Sequence, residues 1–187
     1  MVQKKSGGLF GWLKAIGIAL IIAILIKSFV FTNYIVNGPS MMPTLQNGNR
    51  LIVSKINYEF SKPKHGDIII FHATPTEDYV KRVIGLPGDT IVYKNDQLYR
   101  NGKKIAEPYL EPYKKQLSGG KLTEDFTLKE KTGKLHVPDG KLWVMGDNRQ
   151  VSKDSRDIGF IDMTQVVGKA SIRYYPLSEV NILPGSK

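Results

Sequence analysis

Cysteine is absent from the 187 residues of this chain, and histidine occurs only three times. The lack of cysteine excludes a disulfide framework, a thiolate nucleophile and a thiolate metal site. His65, His72 and His136 form no ligand-spaced pair, so each is expected to be an ordinary strand or loop residue. The sequence therefore predicts no metal and no cofactor, and it leaves few candidates for a histidine-based triad.

Acidic residues are also scarce, since 27 lysines and arginines outnumber 17 aspartates and glutamates and give a net charge of +10. A basic balance of this size predicts an anionic neighbour. The basic residues show no arginine-rich block or recognition-helix pattern, so nucleic acid is not the expected partner. We expect a lipid bilayer surface instead.

The first 37 residues contain no acid and one long apolar run, LFGWLKAIGIALIIAILIKSFVF at 9–31. As a helix this run would cover about 34 Å, against a hydrocarbon core of about 30 Å. Lysines precede the run and few charges follow it closely, which predicts a cytoplasmic amino terminus. We therefore expect a cytoplasmic tail at 1–8, a single transmembrane anchor at 9–31 and an extracytoplasmic β-rich domain at 32–187.

Two other interpretations of the apolar run are weaker. A cleaved secretory signal has the same layout, but no small-x-small cleavage site follows the run. A buried helix of a soluble domain would not need apolar residues on every face.

Short β-branched runs between turn residues recur after the apolar run, and they predict a mostly β fold with an antiparallel sheet system. Asn95-Asp96 and Asn101-Gly102 are typical of hairpin turns. Residues 107–140, rich in lysine, glycine and proline, are expected to form a loop or a small inserted lobe. The predicted strands lie at 51–54, 67–72, 79–84, 90–93, 97–100, 141–145 and 166–175.

Three segments stand out for chemistry. Residues 38–44 read GPSMMPT, where two prolines predict a bent, exposed segment and Ser40 is either a turn residue or a nucleophile. Residues 79–89 read YVKRVIGLPGD, a strand whose alternation places Lys81 and Arg82 on opposite faces. Residues 145–156 read MGDNRQVSKDSR, a polar loop rich in both charges.

Together, in this order and behind an anchor, these segments resemble the type I signal peptidases, and the short lobe resembles their Gram-positive branch. Those enzymes are membrane-bound serine proteases that remove signal peptides from exported proteins. The resemblance covers nearly the whole chain as far as Pro176. It implies a catalytic domain of the signal peptidase type, in which Ser40 is the nucleophile, Lys81 the general base and Ser152 the hydroxyl that orients the amine.

A lysine can take the proton of a serine hydroxyl only when the lysine is neutral. At its ordinary pKa of about 10.4, roughly one lysine in 2,500 is neutral at pH 7, and burial can lower that pKa by several units. We therefore expect Lys81 to be buried, with Tyr79, Val83 and Met41 as its apolar wall.

The resemblance also implies an oxyanion site formed by the nucleophile's backbone N–H and, in many members, a serine hydroxyl two positions earlier. That position is Gly38, which has no side chain, so we expect the Ser40 amide to act with a water or another amide. The expected walls of a groove for an extended peptide with small side chains, each equally compatible with a core position, are Tyr34, Val36, Met41, Leu45, Leu51, Ile70, Tyr79 and Val80.

Five charged residues are expected to brace the site rather than react, with Asp147 paired to Arg149, Asp154 paired to Arg156, and Arg82 in the same structural group. The implied partners are signal peptides of exported preproteins, the bilayer and the neighbouring secretion translocon.

Two rival functions fit parts of the sequence. A self-cleaving repressor-type protein shares the serine-lysine pairing, but it would carry a DNA-binding domain and no anchor. A membrane-tethered β-domain that binds anionic wall polymers would explain the positive charge without needing Ser40 or Lys81.

Overall fold

The structure is a computed structural model that describes residues 9–55 and 62–183. It opens with helix α1 (Leu9–Val30), and strand β1 (Phe31–Ile35) follows without a break. The last residue of the predicted anchor is thus the first residue of the sheet. Within the described part of the chain, no helix combines the length and the apolar character needed to cross a membrane.

The described residues form twelve strands and three further short α-helices, and every strand pairing is antiparallel. The remaining strands are β2 (Arg50–Ser54), β3 (Ile68–His72), β4 (Asp78–Gly85), β5 (Ile91–Lys94), β6 (Gln97–Arg100), β7 (Lys103–Ile105), β8 (Phe126–Thr127), β9 (Lys141–Met145), β10 (Ile161–Asp162), β11 (Val166–Tyr175) and β12 (Asn181–Ile182). The helices are α2 (Glu111–Lys114), α3 (Leu128–Thr132) and α4 (Ser155–Ile158).

These strands form two sheets in the described part of the chain. The larger sheet has the order β1-β2-β11-β3-β4-β9-β10, with β12 paired to β11, and the smaller sheet has the order β7-β6-β5-β8. All seven predicted strands are confirmed to within a residue or so, as β2 to β6, β9 and β11. Their β-branched runs are long enough to be recognised, whereas β7, β8, β10 and β12 have only two or three residues each.

Both predicted hairpin turns are confirmed by the backbone. Asn95 and Asp96 have φ of 52° and 57°, and Asn101 and Gly102 have φ of 53° and 74°. Two successive residues with positive φ make the tight turn whose twist matches that of the flanking strands.

The small lobe begins earlier than the predicted segment 107–140. Its sheet spans residues 91–127, so β5 and β6 belong to it. The reason is packing: Tyr93, Leu98 and Phe126 lie in one buried cluster, with the Tyr93 and Phe126 rings stacked at 5.1 Å. The lobe is therefore packed against the large sheet, since Ile84, Trp143 and Met145 of β4 and β9 belong to the same cluster.

Candidate active site

Ser40 lies on the segment between β1 and β2, and that segment is fastened from two sides. Met41 and Leu45 are fully buried in a core cluster of the large sheet. The Asn148 amide donates to the Ser40 carbonyl oxygen at 3.0 Å, and the Asn148 side chain donates to the Pro39 carbonyl at 3.2 Å. These contacts hold Ser40 half-buried at the surface of the core.

Lys81, in the middle of β4, points its amine at Ser40. Its Nζ lies 2.8 Å from Ser40 Oγ, and the residue is only 3% exposed. The Tyr79 ring stands beside the amine, with its centroid 5.2 Å from Nζ. Val83, on the same strand and the same side, belongs to a buried cluster with Tyr79 packed against it.

Burial lowers the pKa of Lys81 to about 8, because an ammonium group loses its hydration there. The carboxylates of Asp154 and Asp147 act in the opposite direction, while the Arg156 guanidinium adds to the decrease. A substantial fraction of the amine is therefore neutral near pH 8, and a neutral amine can accept the Ser40 proton across 2.8 Å.

A groove of about 250 Å³ runs up to this pair. The residues that line it run from Tyr34 to Ser40 along one wall and from Asp78 to Lys81 along the other, with Val151 and Lys153 completing it. Of the predicted walls, Tyr34, Val36, Tyr79 and Val80 do line the groove. The other four are corrected to core positions, because their side chains are completely buried under the large sheet: Met41, Leu45, Leu51 and Ile70.

Two unpaired strand edges border the groove. Within the described residues, β1 pairs only with β2, and β9 pairs with β4 only from Arg82 onward. The backbone of Asp78–Lys81 is therefore open on that side. Free edges of this kind can hold an extended peptide by strand addition.

The charged residues that were expected to support the site form ion pairs, but one of the two predicted pairs has other partners. Arg82 donates to both Asp147 oxygens, at 2.8 Å and 2.6 Å, and both side chains are buried. Arg149 instead donates to Glu107 at 2.6 Å, so the predicted Asp147–Arg149 pair is wrong. Arg149 points toward the small sheet, whereas Arg82 on β4 faces Asp147.

The predicted pair of Asp154 and Arg156 is present, at 2.9 Å. Asp154 also accepts from the Gly146 amide at 2.9 Å and caps α4. Burial raises the pKa of Asp154, but the hydrogen bonds from Arg156 and Gly146 outweigh it and hold that pKa below its usual range. The carboxylate therefore stays ionised and fixes the loop beside Lys81.

Ser152 and Gly38 lie next to the pair without the contacts that a direct role would show. Ser152 Oγ is buried against Gly146 and has no hydrogen-bond partner among the described residues, Lys81 included. Gly38 has φ of +88° and open space where a Cβ would lie, and its amide donates to Asn47. In the described part of the chain the Ser40 amide makes no hydrogen bond, which leaves it available to an oxyanion.

The sequence analysis did not identify a set of residues that contact the charged residues beside the site on the side away from the groove. Thr44 donates to Asp147, and Arg149 bonds to Tyr93 at 2.7 Å as well as to Glu107. Tyr109 lies under Arg82, with its ring centroid 3.9 Å from the guanidinium carbon. Each of these contacts joins residues 27 to 103 positions apart in the sequence. No local sequence pattern could therefore have indicated them.

A buried lysine against a serine hydroxyl, at the end of an open groove, defines a candidate serine-lysine peptidase site. Residues 9–175 match the family described as signal peptidase, peptidase S26. The chain is 53% identical over 177 residues to signal peptidase I of Bacillus caldolyticus, with 95% of each chain covered. It is 46% identical over 181 residues to signal peptidase IB of Staphylococcus aureus strain Mu50, with 95% of this chain and 94% of the relative covered.

Among solved structures, the fold is similar to the crystal structure of a signal peptidase I from Enterococcus faecalis V583. The TM-score is 0.56 and the identity 42%, over 58% of this chain and 97% of that one. The chain therefore belongs to the peptidase S26 family of signal peptidases, as the three sequence segments predicted.

Proposed function

We propose that this chain removes signal peptides from exported preproteins, with Ser40 as the nucleophile and Lys81 as the general base. The observation that carries the proposal is the 2.8 Å distance between Lys81 Nζ and Ser40 Oγ, with the amine buried. Membership of the signal peptidase family supports the substrate class.

The geometry supports a two-step acyl transfer. Neutral Lys81 takes the Ser40 proton while Oγ attacks the scissile carbonyl, and the Ser40 amide donates to the oxyanion. The ammonium of Lys81 then gives the proton to the departing amine, which leaves an ester on Ser40. Water, deprotonated by the same amine, attacks that ester and releases the signal peptide with a free carboxylate. The Lys81 ammonium returns the proton to Ser40 Oγ as the ester bond breaks, which restores both groups.

The apolar segment 9–31 is proposed as the membrane anchor, with residues 1–8 in the cytoplasm and the β-rich domain 32–187 outside, near the secretion translocon. Its length and its flanking lysines support this arrangement. An anchored protease meets bilayer-bound signal peptides at a raised effective concentration.

The test is cleavage of a purified preprotein by the full-length chain and by Ser40→Ala and Lys81→Ala. Both variants are expected to lose cleavage, while Ser118→Ala and Lys94→Ala, outside the groove, serve as matched controls. If both site variants cut as well as the parent, the peptidase assignment fails. The tethered β-domain would then be favoured, and it predicts salt-sensitive binding to anionic wall polymer.

A further inference from the structure

A second cavity, of about 350 Å³, lies between the small lobe and the loop that follows β9. Half of the residues that line it come from 121–131 and the other half from 149–157. Residues 150–153 separate this cavity from the groove, because Gln150 and Ser152 line the cavity whereas Val151 and Lys153 line the groove. A single segment of chain therefore divides the two spaces.

The wall of the second cavity comes close to the nucleophile at Gly146. A Cβ built on Gly146 would collide both with the Ser40 carbonyl oxygen and with the Ser152 side chain. Ser152 itself is buried and lines the cavity. The cavity therefore begins within about one side chain of the Ser40 backbone.

The strand pairing of β4 directs a bound peptide toward this cavity. A peptide that follows the open backbone of Asp78–Lys81 cannot continue along β4, because β9 pairs with that strand from Arg82 onward. With the signal peptide in the groove, the chain beyond the scissile bond has to leave past Ser40 and Lys81 and across the segment 150–153. The second cavity opens on the far side of that segment.

The charged side chains of the cavity favour an acidic occupant. Four of its lining residues are cationic and two are acidic. Three of the cations already have a carboxylate partner, in the pairs Lys121–Asp125, Arg149–Glu107 and Arg156–Asp154. Lys131 on α3 has no ion pair in the described part of the chain, and its exposed amine lies 6.0 Å from the centre of the Phe126 ring. It is therefore the cation most open to a new partner.

The two acidic residues of the lining reduce this attraction without cancelling it. The Asp157 carboxylate accepts from the Asp154 amide at 3.2 Å, and Glu124 is exposed to solvent. An exposed ion pair changes a binding constant by about twofold to fivefold, and dissolved salt screens it. The expected preference for an acidic side chain is of that size.

We propose that this cavity receives the residues of the preprotein that follow the scissile bond, and that Lys131 favours an acidic side chain among them. The inference deepens the proposed function and rests on it. The groove then holds the part of the substrate that is removed, and the second cavity holds the start of the part that is released.

The test uses pairs of preproteins that carry glutamate or lysine at one of the second to fifth residues after the cleaved bond. The full-length chain in detergent at low salt is assayed for kcat/KM, and the ratio for glutamate over lysine is the readout. This ratio is expected to reach about twofold to fivefold at one or two adjacent positions and to fall when salt is added. Lys131→Glu is expected to invert the ratio at those positions.

Lys129→Glu is the matched control, because it makes the same charge change on the same helix at a residue that does not line the cavity. It should leave the ratio unchanged. Equal shifts in the two variants would show a long-range effect of net charge and would overturn the inference. So would a ratio that is the same at every position, or loss of all cleavage in a Lys131→Glu variant that circular dichroism shows to be folded.

Failure of this inference is distinguishable from failure of the proposed function. If the parent cuts none of the preproteins, both are overturned. If the parent cuts in a Ser40-dependent manner and the ratio does not respond to Lys131→Glu, only the role of the second cavity is overturned.

Discussion

At the scale of single residues, the site depends on the charge state of one amine. Lys81 is 3% exposed, yet Asp154 and Asp147 lie close enough to favour its ammonium form. Burial is the larger effect, so the pKa still falls. The amine is therefore poised to change charge slightly above neutral pH, where a general base works best.

The pH dependence of cleavage follows from that amine. Because the proposed base is the neutral form, kcat/KM for a preprotein should rise with pH and level off above about pH 8. The measurement is a profile from about pH 6 to about pH 10, since kcat/KM reports ionisations of the free enzyme. A rise centred near the ordinary lysine value of 10.5 would contradict burial of the amine.

The free energy of unfolding should also depend on the ionisation of Lys81, and it should rise with pH. The pKa of Lys81 is lower when folded than when unfolded, so the unfolded chain binds more protons between about pH 8 and the ordinary value of 10.5. Stability therefore rises with pH across that interval, and the full cost of a buried ammonium is present below it.

Lys81→Met removes that cost, and we expect it to raise the free energy of unfolding by about 1 to 3 kcal/mol at pH 7. The advantage should vanish above about pH 10.5. Urea denaturation of parent and variant at both pH values measures the difference. A variant less stable than the parent at pH 7 would show that burial of the Lys81 ammonium does not destabilise the fold.

At the scale of elements, the strands were predictable, whereas the long-range contacts of the loop between β9 and α4 were not. A strand such as β3 is specified by its own β-branched residues, and the hairpin turns by their asparagines and glycine. The loop is specified from outside: Asp147 is held by Arg82, 65 positions away, and Arg149 by Glu107, 42 positions away. A single sequence contains no signal for contacts at such separations.

The same distinction explains which parts of the site could be predicted. Ser40 and Lys81 belong to recognisable segments, so the sequence could nominate them before their 2.8 Å contact was known. Residues of the groove walls could not be distinguished from core residues in the sequence, because an apolar residue on a strand fits either side of a curled sheet. Met41 and Val36 illustrate this, since both are buried but only Val36 also reaches the groove.

Gly146 follows the last residue of β9, and its Cα lies against the backbone of Ser40. A Cβ at this position would collide with the Ser40 carbonyl oxygen and with the Ser152 side chain. We therefore expect Gly146→Ala to displace the Ser40 segment and to lower kcat/KM by at least about 100-fold, since misplacement by about 1 Å has an effect of this size. Preprotein cleavage with circular dichroism measures both activity and folding.

The matched control is Gly17→Ala in α1, where an added Cβ would meet no atom within 4 Å. This variant should cut at the parental rate. Parental activity in Gly146→Ala would mean that the Ser40 segment can shift without harm to the reaction.

At the scale of the whole molecule, the two sheets share a buried cluster, and a buried arginine, Arg149, also links them behind the site. Arg149 donates from Nε to the Gly146 carbonyl at 3.0 Å, on the loop beside Ser40. Its other nitrogens reach Tyr93 and Glu107 in the small lobe, at 2.7 Å and 2.6 Å. The small lobe therefore contributes to the position of the loop beside Ser40 although, in the described residues, it supplies no wall of the groove.

Arg149→Met should disconnect the lobe from that loop. Removing Arg149 leaves the buried Glu107 with hydrogen bonds from Tyr93 and Tyr109 but without its cation, and we expect a loss of about 3 to 5 kcal/mol in the free energy of unfolding. Arg100→Met is the matched control, because its partner Asp89 lies 4.0 Å away and the arginine side chain is 26% exposed, so a loss of about 1 kcal/mol or less is expected. Urea denaturation gives both values, and equal losses in the two variants would show that Arg149 does not join the sheets energetically.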